Sequence, residues 1–244
     1  MSIIDNTAVI IYNHELSREA IRLKQRFTGK VDTYLFDSGS DLTRDESPHF
    51  DKRYPNIYYN GLLNETNRFL NGQRYDNGFI ITSDVKINDI DELLEKYNDV
   101  FADSRVGVYA PSAEYSYHPQ MIHKPGAGLR EVTFIEGFCF AVRTHILDQL
   151  CPVDVSLNKY GYGTDSMLGY HALNQGYVNI IDHRITVDHP YGSGYDKHKA
   201  VEAKHNWIDS LAFRERLFYK ITSKKILKNR LGLLLVRKLF GFER

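Results

Sequence analysis

A mostly parallel α/β sheet with helices on both faces is the fold this sequence predicts. Short continuous apolar runs, Ala8–Tyr12 (AVIIY) and Gly78–Thr82 (GFIIT), have the pattern of strands covered on both sides. Stretches of helical period separate such runs, and strand–helix alternation is the signature of parallel pairing through crossover helices. Composition agrees: 244 residues with 42% apolar and 13% aromatic side chains can bury one large core, which excludes disorder as the main state.

The elements follow in order. Ala8–Tyr12 opens the sheet. Ser17 is placed to cap a helix reaching Phe27, with Ala20, Leu23 and Phe27 on one stripe. Val31–Phe36 is a second strand and ends in Asp37-Ser-Gly-Ser40. Residues 41–55 are polar and punctuated by proline, so they form a loop, followed by a short strand at Asn56–Asn60 and a helix at Leu62–Leu70. Gly78–Thr82 is a buried strand stopped by Ser83-Asp84; Asp89–Tyr97 is a helix and Arg105–Ala110 a strand. Residues 111–130 hold three prolines, two glycines and two histidines without periodicity. A loop of that length in a compact domain is usually a lid or a binding loop. Phe138–Arg143 is a strand and Thr144–Leu150 a helix; the turn Tyr160–Asp165 leads into a helix, Ser166–Asn174. Strand character at Ile180–Val187, a glycine loop from His189 to Tyr195 and a helix at His198–Tyr219 complete the body.

Charge divides the chain at this point. Residues 220–244 carry eight Lys/Arg and one acid, Glu243, which leaves 23 bases and 30 acids in residues 1–219. A body of −7 therefore carries a tail of +7, and we divide the chain into a domain, 1–219, and a basic helical tail, 220–244. An acidic, tyrosine-rich body does not suit nucleic acid. In the tail, Leu227, Leu231, Leu234, Leu235, Leu239 and Phe242 recur at helical spacing, which fits either a helix packed on the domain or an interfacial helix on an anionic membrane surface. Two cysteines, Cys139 and Cys151, form no disulfide framework and fit a reducing, cytoplasmic setting. The first residues lack a basic-then-apolar leader, and no apolar run approaches the roughly 20 residues of a membrane span.

Ligands of open parallel sheets sit at the carboxyl ends of the strands, which directs attention to Asp37 and Asp84. A lone aspartate there commonly serves a turn. Its functional alternatives differ: Asp37 could accept hydrogen bonds from a base or ribose, and Asp84 could share a divalent cation with a diphosphate, since Mg²⁺ and Mn²⁺ need only one or two carboxylates beside phosphate oxygens. Asp165 follows Gly161 and Gly163 at a helix start, where it is either a cap or a base presented above the crevice. His189, after a strand and before a glycine loop, is either structural or a metal contact.

Six segments in this order resemble the GT-A nucleotide-sugar glycosyltransferases, especially the family 2-like bacterial enzymes that include rhamnosyltransferases. Ala8–Asn13 resembles their opening strand, and Tyr34–Ser40 the strand that ends in an acid with glycine and serine. Phe79–Val85 is similar to their DXD region reduced to Ser-Asp-Val, and Glu136–Arg143 to the glycine strand that closes the sugar pocket. Gly163–Asp165 resembles the Glu-Asp helix start, and His189 the histidine after the last core strand. The resemblance covers Ala8 to Tyr195; it departs from the family in the full DXD triplet and in Thr164, which stands where a glutamate is usual. It implies a nucleoside-diphosphate sugar donor contacted by Tyr12, Asp37, Ser83, Asp84, Glu136 and Gly137, and Mg²⁺ or Mn²⁺ held by Asp84 and His189. It further implies Asp165 as the base that activates a hydroxyl of a glycan or lipid-linked acceptor, with inversion, in bacterial surface polysaccharide synthesis. Two other functions were weighed: a non-catalytic sugar-nucleotide-binding module, and a nucleotidyltransferase. The second would need a glycine-rich basic loop near the first strand, where Tyr12–Leu16 provides neither.

Overall fold

The computed structural model describes residues 3–190, 196–223 and 230–242. Among these, nine strands form one sheet: β1 (Thr7–Asn13), β2 (Asp32–Ser38), β3 (Lys52–Tyr54), β4 (Asn77–Thr82), β5 (Lys86–Ile87), β6 (Val106–Ala113), β7 (Leu129–Val132), β8 (Cys139–Arg143) and β9 (Val178–Asp188). Their order is β3-β2-β1-β4-β8-β6-β9-β5, with β7 also paired to β9. Strands β3, β2, β1 and β4 are parallel, as the strand–helix alternation predicts. The second half is mixed, because β8 inserts antiparallel between β4 and β6. All positions of β1 and of β6 are buried, so both sides of the sheet are covered there.

Helices α1 (Ser17–Phe27) and α2 (Tyr58–Gln73) pack on β1 and β2, and α3 (Ile90–Phe101) on β6 and β9. Helix α4 (Thr144–Leu150) lies against α2 and α5 (Thr164–Asn174). The C-terminal part is α6 (Lys197–Ser210), α7 (Phe213–Thr222) and α8 (Arg230–Phe240).

Several elements depart from the sequence expectation. Asn56–Asn60 is not a strand: α2 begins inside it, and the Ser38 hydroxyl accepts from the N–H groups of Ile57 and Tyr58 (both 3.0 Å), so these groups need no ladder. The strand lies just before, in the segment read as loop, where β3 pairs with the end of β2. Residues 111–130 are not one long loop. β6 runs on to Ala113, and it tolerates Pro111 because its register against β9 slips between Pro111 and Ser112. The chain leaves at Glu114 and returns to β6, where the Ala113 N–H donates to Met121 O (2.8 Å) and the His123 N–H to Ala113 O (2.8 Å). The helix expected over His198–Tyr219 is broken between Ser210 and Phe213, where Glu215 accepts from the Ala212 N–H (3.0 Å). The division after Tyr219 falls within α7, whose Phe218 and Thr222 are both buried. Leu227 of the tail lies outside the described residues, as does Tyr195 at the far end of the glycine loop.

Candidate functional site

Three strand ends build the floor. At β1 and β2, Asn13 Nδ2 donates to Asp37 Oδ1 (2.8 Å), and Ser40 donates to the same carboxylate through its N–H (3.0 Å) and its hydroxyl. Asp37 is 1% exposed. Its charge therefore closes the turn after β2 from inside the protein. Tyr12 is buried as well; its hydroxyl bonds the Thr66 hydroxyl (2.8 Å) on α2, and its ring meets Tyr59 edge-on. Its carbonyl accepts from the Ser83 N–H (2.9 Å), which ties the end of β1 to the turn after β4. The side chains of Tyr12 and Asp37 thus belong to the floor, Ser83 is buried beside them, and Asp84 is partly exposed.

Asp84 has a different environment. The short strand β5 pairs antiparallel with the end of β9 (Lys86 opposite Asp188), which draws Asp84 towards His189. His189 Nε2 lies 3.4 Å from Asp84 Oδ2. The His189 ring stacks on Phe138 at 4.3 Å with an interplanar angle of 7°, which fixes its orientation. Burial raises the Asp84 pKa, but hydrogen bonding from His189 and Thr82 outweighs it, so the carboxyl is held below its ordinary range. Asp84 Oδ1 is buried and has no hydrogen-bond partner among the described residues. A buried carboxylate oxygen without a partner is costly unless a ligand satisfies it. The carboxylate oxygen is a donor that suits Mg²⁺ and Mn²⁺, and the imidazole nitrogen stands beside it. Among the described residues no cluster of three or more acid, histidine or cysteine side chains could hold a metal. A cation here would take its other ligands from phosphate and water, as Mg²⁺ and Mn²⁺ sites commonly do.

Strand β8 and the residues before it connect this end to Asp165. Thr82 N–H donates to Phe138 O (2.8 Å), and the Tyr59 hydroxyl donates to Gly137 O (2.6 Å). A Cβ at Gly137 would lie 2.6 Å from the Tyr59 hydroxyl and displace it from its bond to the Gly137 carbonyl. Tyr59, Gly137, Thr164 and Asp165 line one small cavity. Asp165 sits in the first turn of α5, where the helix dipole favours its ionised form. The turn before it is stitched to α2: Thr164 donates to Asn60 Oδ1 (3.0 Å), and Asn60 Nδ2 donates to Asn158 O (2.7 Å). Gly161, at φ +90°, packs on the Tyr59 ring so closely that a Cβ would meet it at 2.4 Å. Asp165 Oδ1 accepts from the Ser166 N–H (2.8 Å), and its Oδ2 lies 4.0 Å from His118 Nε2. Burial and then the Asp165 charge push the Tyr219 phenol up to about 12.

The excursion between Glu114 and Met121 adds residues that the sequence did not single out. Ser116 Oγ bonds Glu136 Oε2, and the His118 N–H donates to Ser116 Oγ (2.9 Å). His118 packs edge-on to Phe134 (5.1 Å). Glu136, Ser116, His118 and Asp165 are thus consecutive contacts along one wall. The one available sequence signal was a histidine in a proline-rich binding loop.

No family model matches the chain, and no curated protein matches it in sequence. Among solved structures, the crystal structure of GalNAc-T7 with UDP, GalNAc and Mn²⁺ aligns at a TM-score of 0.56 and 13% identity. The alignment covers 97% of this chain and 54% of that one, so the chain spans about half the length of this neighbour. At that identity the likeness speaks for architecture, and the architecture is a GT-A-like, Rossmann-like sheet flanked by helices.

Proposed function

We propose that this protein is a glycosyltransferase that moves a hexosyl or deoxyhexosyl group from a nucleoside-diphosphate sugar to a hydroxyl of a glycan or lipid-linked acceptor. The observation that carries the reading is the buried oxygen of Asp84, unpartnered among the described residues, beside His189 at the carboxyl end of β4 in a GT-A-like sheet. The neighbouring structure that binds UDP, GalNAc and Mn²⁺ supports it. Asp84 and His189 would hold the cation, with Ser83 on the diphosphate side. When bound, a divalent cation supplies charge neutralisation for the departing diphosphate. Glu136 and Gly137 face the donor sugar, and Tyr12 and Asp37 set the floor under the nucleoside. Asp165 removes the proton of the acceptor hydroxyl, which then attacks the anomeric carbon from the side opposite the leaving group, with inversion. Residues 1–219 supply this machinery and 220–244 its basic appendix, in the cytoplasm and in the synthesis of bacterial surface polysaccharide. The free thiols Cys139 and Cys151 support a reducing compartment. No helix among the described residues is long and apolar enough to cross a membrane.

Thermal unfolding with a panel of nucleotide sugars, with and without Mn²⁺, tests the reading. A ligand that binds only the folded state raises stability by mass action, so the right donor shifts the transition and Mn²⁺ enlarges the shift. A panel in which no nucleotide sugar shifts the transition, with or without the metal, refutes it.

A further inference from the structure

Helix α8 divides its apolar residues between two directions. Leu233, Val236 and Phe240 are buried against the domain. Phe240 and Phe242 pack on Phe218 of α7 (5.6 and 6.2 Å between centroids), and Phe242 on Tyr170 of α5 (5.8 Å). Arg214 donates to Phe240 O (2.6 Å), and Arg237 pairs with Glu131 of β7. Phe242, just past the end of the helix, is therefore held by α5, and the helix itself by α7 and β7. Its other side presents Leu234, Leu235 and Leu239, which are 56%, 44% and 56% exposed, with exposed Lys238 among them. At 3.6 residues per turn these four positions form one continuous strip.

A leucine strip on a firmly held helix is a surface that something covers. Charge identifies the occupant. By sequence the last 25 residues carry +7 against −7 for the rest, and exposed Lys238 stands within the strip itself; a cation beside exposed leucines matches anionic headgroups above acyl chains. We infer that the Leu234–Leu235–Leu239 strip docks on an anionic bilayer surface, while the opposite side of the same helix anchors the domain. The sequence pattern offered a packed helix or an interfacial one; the structure gives each role its own side. Because Phe242, two residues past the end of the helix, packs on Tyr170 of α5, whose first turn carries Asp165, docking would hold α5 at a fixed attitude to the lipid. The inference rests on the surface of α8 and stands whether or not the chain transfers sugar.

The test is co-sedimentation of the full chain with vesicles of phosphatidylcholine mixed with phosphatidylglycerol, against pure phosphatidylcholine. The expected result is binding to the mixed vesicles that weakens by about tenfold or more on pure phosphatidylcholine. Replacing Leu234, Leu235 and Leu239 together by Gln should reduce binding by a similar factor and leave the thermal transition unchanged, since none of the three belongs to the core. Lys238→Glu should weaken binding to the mixed vesicles alone. Unaltered binding by the triple variant overturns the inference. So does a wild-type chain that ignores both vesicles and elutes as a dimer that the triple variant converts to monomer; the strip would then be an interface between copies.

Discussion

Asp37, near the end of β2, and Asp84, just past β4, both stand at the carboxyl ends of parallel strands that flank β1, and by sequence each was a candidate ligand group. The structure separates them. Asp37 accepts three hydrogen bonds from Asn13 and Ser40 inside the protein, so its oxygens already have partners. Asp84 keeps one buried oxygen without a partner among the described residues and has an oriented imidazole beside it. The contrast teaches that an acid at a strand end becomes a ligand candidate when the fold leaves it unsatisfied. Asp165 is a third case, held by Ser166 on one oxygen and with His118 near the other.

The largest expected effect lies at Asp165. An Asn there retains an acceptor for the Ser166 N–H but cannot take a proton, so Asp165→Asn should lower turnover by about 10²–10⁴-fold with donor affinity unchanged. Steady-state kinetics beside donor binding checks this, and near-wild-type transfer would move the base to Glu136. His118→Ala tests the wall that meets Asp165: misplacement of a reacting group costs up to about 10²-fold, so turnover should fall less than in Asp165→Asn. A loss equal to that of the Asp165 variant would mean that His118 itself acts on substrate.

Asp84→Asn should weaken Mn²⁺-dependent donor binding by at least the about 10–100-fold that loss of a supporting partner costs a metal site, and should leave stability within about 0.5 kcal/mol. His189→Ala should weaken the same binding less, because a neutral ligand is lost rather than a charge. Asp37→Asn should behave in the opposite way. It places a donor where Ser40 and Asn13 already donate, so unfolding in denaturant should show a loss of about 1–3 kcal/mol. If Asp84→Asn proves the more destabilising of the two, the contrast fails.

The smallest effect is in pH. The Asp84 carboxyl is held below its ordinary value of 3.8, so its folded form binds a proton less readily than its unfolded form. Its contribution to stability is complete above that value and is lost as pH falls through the lower folded one. Wild type should therefore lose stability on the acid side slightly faster than Asp84→Asn, which thermal unfolding at pH values from about 4 downward would register as converging transitions.

Much of this architecture was legible. AVIIY and GFIIT announced β1 and β4, because a strand buried on both sides requires continuous apolar residues whatever its neighbours are. The start of α5 was legible from Gly161 and Gly163. Three features were not. β5 is two residues long and exists only because β9 offers it an edge. The segment at Asn56–Asn60 carries no local mark of the Ser38 hydroxyl that satisfies it. The wall from Glu136 to Asp165 depends on a loop whose tip is held by Ser116, a residue with no pattern of its own.

By itself the sequence determined the longer buried strands and most of the helices, and which acids stand at the strand ends, since these follow from local period and from turn chemistry. It also determined that the basic charge gathers in the last 25 residues. Only the tertiary structure decided which acid is satisfied, how closely His189 meets Asp84, and which side of α8 is buried. Those outcomes rest on partners remote in the chain, as Asn13 is to Asp37, His189 to Asp84 and Phe218 to Phe242. A hydrogen bond or a packed ring depends on distance in space, and no spacing along the chain reports it.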